Sequence, residues 1–160
     1  MAMAYENVYV AQVAMGASAQ QTLNAFCEAE AHHGPSLIVA YGHCIAHGID
    51  MGHGLQQQKL AVDCGHWPLY RYRPAVDGRL QPEFLLDSPP PRIPFERYAC
   101  HEIRYQTLLQ AKPQDAAALL AEAQSDIELR WQACQTLAER WPAAAVRPGR
   151  RADHRAVVSI

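Results

Sequence analysis

The sequence predicts an α/β chain in which a βαβ unit of a parallel sheet is followed by a hairpin and a helical C-terminal arm. Three observations carry this. Ser36 to Tyr41 is apolar without alternation, the composition of a central parallel strand covered on both faces. A strand-like segment and a helix precede it, giving the order strand, helix, strand. Beyond residue 93 the sequence is helical, with one long apolar stripe near its end.

Tyr5 to Ala14 is rich in Val and Tyr and reads as the first strand. Ser18 is an N-cap with Gln21 in capping-box position, and Ala19 to Ala31 is the helix it opens, with Leu23, Phe26 and Cys27 on its apolar face. Gly34 and Pro35 close it. Gly42 to Gly54 leaves the carboxyl end of the second strand, where open α/β sheets place their ligands, and holds four glycines, three histidines and Cys44. A shorter helix over Gly54 to Asp63 stops at Gly65. Leu69 to Arg73 and Glu83 to Asp87 form a hairpin across Asp77-Gly78. Ser88-Pro89-Pro90-Pro91 is a stiff connector.

Two helices then follow, over Pro94 to Gln110 and Gln114 to Arg140. In the second, Leu120, Ala123, Ile127, Trp131, Cys134, Ala138 and Trp141 recur every three or four residues. After Trp141 the chain turns to Ala, Pro, Gly and Arg, so 142–160 is expected to be a disordered tail. A single βαβ unit exposes a long strand edge, so the chain is expected to be part of something larger.

The length of 160 residues is that of one ordinary domain. With 49% hydrophobic and 19% charged residues the composition is globular. Fourteen Lys and Arg against sixteen Asp and Glu leave a net charge of −2, which gives no electrostatic case for nucleic acid. No apolar run is long enough to span a membrane. The first residues show no secretion signal, so a cytoplasmic location is expected.

Five cysteines without a CxxC argue against a disulfide framework. Cys44 is either a thiolate presented on a polar loop or a small buried hydrophobe. A zinc site from His43, Cys44, His47 and His53 lacks the usual second half of paired ligands. A Cys-His nucleophile pair lacks a third group to orient its base. There is no GxGxxG and no Walker-type phosphate loop. Glu28 and Glu30 fall on opposite sides of a helix, which favours solvation over acid/base work. Tyr70-Arg71-Tyr72-Arg73 fits a strand with one packed and one solvated face better than an RNA platform. No residue is assigned a catalytic role.

Several segments, in order, are similar to the C-terminal part of pyruvate:ferredoxin (flavodoxin) oxidoreductases. They include Tyr9-Val10-Ala11-Gln12-Val13-Ala14-Met15-Gly16, Gly34-Pro35-Ser36-Leu37-Ile38 and Cys44-Ile45-Ala46-His47-Gly48-Ile49-Asp50-Met51. Gln58-Lys59-Leu60-Ala61-Val62, Trp67-Pro68-Leu69-Tyr70-Arg71-Tyr72 and Glu102-Ile103-Arg104-Tyr105 continue the resemblance to Trp141. It implies that residues 1–141 are the end of a thiamine-diphosphate-binding domain. The implied reaction is oxidative decarboxylation of pyruvate with coenzyme A to acetyl-CoA, with electrons passed through iron–sulfur clusters to ferredoxin or flavodoxin.

Carried over, Cys44 is one ligand of a [4Fe–4S] cluster. The magnesium–diphosphate signature, the other three cysteines of that cluster and the remaining domains are not among these residues. The chain alone is therefore expected neither to bind thiamine diphosphate and Mg nor to turn over pyruvate. A different class of function is a non-catalytic interaction module. It would dock a partner chain through the sheet edge and the stripe from Leu120 to Trp141, with Cys44 buried.

Overall fold

The computed structural model describes residues 1–44, 46, 48–76 and 80–143. The expected turn at Asp77-Gly78 and nearly all of the expected tail lie outside them. Four strands form one mixed sheet in the order β2-β1-β3-β4. β1 (Tyr9–Val13) pairs in parallel with β2 (Ser36–Ala40), with Tyr9 opposite Ser36 and Val13 opposite Ala40. β3 (Tyr70–Arg73) runs antiparallel to β1, and β4 (Glu83–Leu86) antiparallel to β3. The βαβ unit and the hairpin therefore form as the sequence predicts.

The helix α1 (Ala19–Ala31) starts where Ser18 Oγ accepts the Gln21 N–H at 3.2 Å. It covers one face of the sheet, packing Ala25 and Ala29 on Tyr9, Ala11, Val13 and Ile38. Its inward residues are Gln21, Thr22 and Ala25, whereas Leu23, Phe26 and Cys27 are exposed. The apolar face read from the sequence therefore points outward. Ala25 packs on the strands, and the Gln21 amide nitrogen donates to the Gln12 carbonyl at 3.3 Å and to Asp87 at 3.0 Å.

β2 also differs from expectation. It is parallel, but it is an edge strand and largely exposed, not a central strand covered on both faces. Its composition is that of an interior strand, yet only β1 pairs with it among the described residues.

The helix α2 (Gly54–Asp63) ends before Gly65, whose φ of 77° lies in the left-handed region. The helix expected from Pro94 to Gln110 is two helices, α3 (Phe95–Ala99) and α4 (Ile103–Ala111). Cys100 thus caps α3 and does not sit inside a helix. The break falls at Glu102, which adopts extended backbone and turns its carboxylate into the core.

The helix α5 (Pro113–Arg140) begins with proline at a first-turn position, with Asp115 near its start and Arg140 in its last turn, all favourable for a helix dipole. It is no free arm. Ile127 packs with Ala61, Cys64, Phe95, Tyr98 and Ala99, while Cys134, Leu137 and Trp141 cover Val10, Tyr72 and Phe84 on the second sheet face. The stripe from Leu120 to Trp141 is thereby used inside the chain and is not left for a partner. Among the described residues no helix is long and apolar enough to cross a membrane.

Candidate functional site

The loop after β2 carries Cys44 away from the carboxyl ends of the two parallel strands. Tyr41 anchors its start: its N–H donates to the Val13 carbonyl at 2.9 Å, and its ring meets Trp67 edge-on. Trp67 Nε1 donates to the same Val13 carbonyl at 3.1 Å. The Tyr41 hydroxyl lies 2.6 Å from that of Tyr98, and Tyr98 donates onward to Glu102 Oε1 at 2.7 Å. Arg104 Nε meets the other Glu102 oxygen at 2.5 Å, and Gln57 Nε2 donates to the Tyr98 carbonyl at 3.1 Å. Glu102 is only 1% exposed, so its negative charge depends on this set of donors. Burial first, then the hydrogen bonds with Tyr41 and Glu102, push the Tyr98 hydroxyl far up, which keeps it a proton donor to the carboxylate.

The loop is fixed at three further places. Gly48 has φ of 71° and faces Ile103, whose Cβ would lie 2.5 Å from any Cβ added there. The His43 ring fills the space beside Gly54, and its buried Nδ1 has no hydrogen-bond partner among the described residues. Asp50 accepts the Gly52 N–H at 2.9 Å and pairs with His53 Nδ1 at 2.9 Å; these two contacts, the backbone one first, hold its carboxyl below the usual range. Beside the loop is a cavity of about 240 Å³ lined by Tyr41, His43, Trp67, Tyr98, Glu102 and Arg104, among others.

Cys44 is exposed, which overturns its alternative as a small buried hydrophobe. Cys64 is fully buried, donates to the Ala61 carbonyl, and has its thiol pushed up to about 11 by burial. Burial also raises the Cys134 and Cys100 thiols, while Cys27 is exposed on α1. Among the described residues no three His, Cys, Asp or Glu side chains come together to hold a metal ion. Of the four residues in the zinc alternative, His47 lies outside the described residues, and His53 is engaged by Asp50. An accessible thiol on a braced loop fits the part of a single cluster ligand, with other thiolates supplied from elsewhere.

Two features went unseen in the sequence. Glu28 is part-buried and paired where solvation was expected: Arg71 and Arg73 both reach its carboxylate, and Tyr9 donates to it at 3.1 Å. Arg71 also grips Asp87 through two nitrogens at 2.8 Å, and Arg73 reaches Glu83 at 3.0 Å. The arginines of β3 therefore tie α1, β3 and β4 together, and their face is not the solvated one that alternation implies. The second is the Tyr41–Tyr98–Glu102–Arg104 chain. Its one visible signal was the acidic residue inside an otherwise helical segment.

The chain is a mixed α/β fold with an exposed thiol on the loop after its parallel edge strand, and comparison with known proteins gives the class. The chain is homologous to a segment of the pyruvate oxidoreductases named for flavodoxin or ferredoxin. It is 52% identical over 140 residues to the pyruvate-flavodoxin oxidoreductase of Trichormus variabilis and 46% identical over 138 residues to that of Rhodospirillum rubrum. The pyruvate:ferredoxin oxidoreductase of Moorella thermoacetica is 45% identical over 139 residues. These alignments take in 86–88% of this chain but span only 12% of each relative's length. No protein-family model matches the chain.

Proposed function

We propose that this chain is a fragment or subunit of a pyruvate:ferredoxin (flavodoxin) oxidoreductase, completing its thiamine-diphosphate-binding domain and lending Cys44 to a [4Fe–4S] cluster. The observation that carries the reading is the exposed Cys44 thiol on a braced loop at the carboxyl end of β2, within a chain homologous to these enzymes. The complete enzyme oxidatively decarboxylates pyruvate with coenzyme A in the cytoplasm, yielding acetyl-CoA and carbon dioxide and passing electrons to ferredoxin or flavodoxin. Bound thiamine diphosphate with Mg²⁺ and the iron–sulfur clusters supply the carbanion and electron-transfer chemistry.

The residues here do the positioning. Tyr41, Tyr98 and Glu102 brace the root of the loop, Ile103 holds Gly48, and Cys44 is left accessible for a metal. The chain contributes one thiolate and no catalytic acid or base. A second reading is a non-catalytic module that docks a partner chain. The bare β2 edge favours it, though the α5 stripe does not, being buried in the chain's own core.

Pyruvate-dependent dye reduction separates the two. The purified chain is expected to show none. Recombined with the rest of an oxidoreductase lacking this segment, it is expected to restore turnover. Failure to restore turnover in a complex that forms supports the module, and turnover by the chain alone contradicts both.

A further inference from the structure

Cys44 lies between Tyr41 and Gly48, and one short segment far along the chain, Glu102-Ile103-Arg104, ties down both of them. At the Gly48 end, the Ile103 N–H donates to the Gly48 carbonyl at 3.4 Å, and the Ile103 Cβ would lie 2.5 Å from any Cβ added to Gly48. Ile103 is the first residue of α4, so this N–H has no partner within its own helix. At the Tyr41 end the tie runs through hydroxyls. Tyr98 has a single hydroxyl proton and gives it to Glu102 Oε1, so the proton between Tyr41 and Tyr98 comes from Tyr41. The bonds therefore run in one direction, from Tyr41 through Tyr98 to Glu102, and must end on an acceptor.

Glu102 suits that end. An ionised carboxylate only accepts hydrogen bonds, and Arg104 Nε holds its second oxygen at 2.5 Å. The Tyr98 ring is fixed as firmly as its hydroxyl: it is buried, stacked on His66 with centroids 5.0 Å apart, and packed on Phe95. Placing Glu102 here interrupts a helical segment and buries a charge, and neither raises stability by itself. A break that served only α3 and α4 would need no ties to the two ends of a separate loop.

We infer that Glu102 is a positioning residue for the Cys44 thiol: with Tyr98, Ile103 and Arg104 it clamps the loop at both ends and fixes where that thiol is presented. What the thiol then binds, a cluster, rests on the proposed function; the clamp concerns this chain alone. Glu102→Gln keeps one acceptor oxygen and turns an amide nitrogen towards either Tyr98 or Arg104, so one tie is lost in either orientation. Tyr98→Phe removes the middle of the chain of bonds. Arg104→Gln leaves the core untouched, because the Arg104 side chain is 42% exposed, and frees the second Glu102 oxygen.

The test places a nitroxide label on Cys44 in a chain carrying Cys27→Ser and Cys100→Ser, whose other thiols, Cys64 and Cys134, are buried. Spectra are taken well below each variant's melting midpoint. Glu102→Gln and Tyr98→Phe are expected to shorten the label's correlation time about twofold or more, and Arg104→Gln to shorten it by less. A label on Cys27, with Cys44→Ser and Cys100→Ser, is expected to move equally in all of them. Unchanged motion at Cys44 in Glu102→Gln and Arg104→Gln, or equal loosening at Cys27, would overturn the inference. In the complex with an oxidoreductase lacking the matching segment, Arg104→Gln is expected to hold as much iron as wild type and to lose its cluster absorbance in air about threefold faster. Equal loss would also overturn the positioning role. Iron content unchanged by Cys44→Ser refutes the ligand reading instead, and the label on Cys44 still decides the clamp.

Discussion

Glu28 lies on α1 within reach of two arginines from β3 and the Tyr9 hydroxyl. Burial works to raise its carboxyl, but hydrogen bonds and charge from Arg73 and Arg71 outweigh that and hold it below its usual range. Glu28→Gln leaves two part-buried arginines short of a partner. Discounted for its partial exposure, the loss is expected to be about 1–3 kcal/mol in a denaturant melt. His66 is pushed down mainly by burial and then by Arg130. A group whose folded value is depressed adds stability that is complete above its unfolded value and is lost as pH falls through the folded one. Stability should therefore begin to fall below about pH 6.5 through His66 and fall further below about pH 4.5 through Glu28. Melts of His66→Gln across that range are expected to lack the first decline; an unchanged profile contradicts the assignment. Neither partner set was legible in the sequence, because Glu28, Arg71 and Asp87 are brought together by the sheet and not by any local spacing.

Among the elements, α5 was the most legible, since a 3.6-residue period from Leu120 to Trp141, about six turns, survives whatever packs on it. Ile127 sits at the join of α2, α3 and α5 and is 2% exposed. Ile127→Ala is expected to cost about 2–5 kcal/mol, read as a lowered urea midpoint with unchanged slope. A cost below about 1 kcal/mol would show that the site collapses around the smaller side chain. The direction of β2 was legible from its composition, but its place at an edge was not, because an uncharged, non-alternating run carries no mark of which side lacks a neighbouring strand. The split between α3 and α4 was likewise hidden. One buried carboxylate at Glu102, paired with Tyr98 and Arg104, interrupts a segment whose propensities are helical throughout.

At the scale of the whole molecule, the sheet is closed by Trp141 at β4 and bare at β2 among the described residues. The loop carrying Cys44 leaves that bare strand. The sequence already placed Cys44 at the ligand-binding end of a parallel sheet, and the structure adds what braces it: Tyr41, Tyr98 and Glu102 at its root and Ile103 against Gly48. The decisive measurement is the iron content of the complex between this chain and an oxidoreductase lacking the matching segment, with wild-type chain and with Cys44→Ser. The account predicts that the wild-type complex holds about four more iron atoms than the Cys44→Ser complex, or that the variant's cluster bleaches readily in air. Equal iron content and equal stability of the cluster in both complexes would contradict the assignment of Cys44 as a ligand.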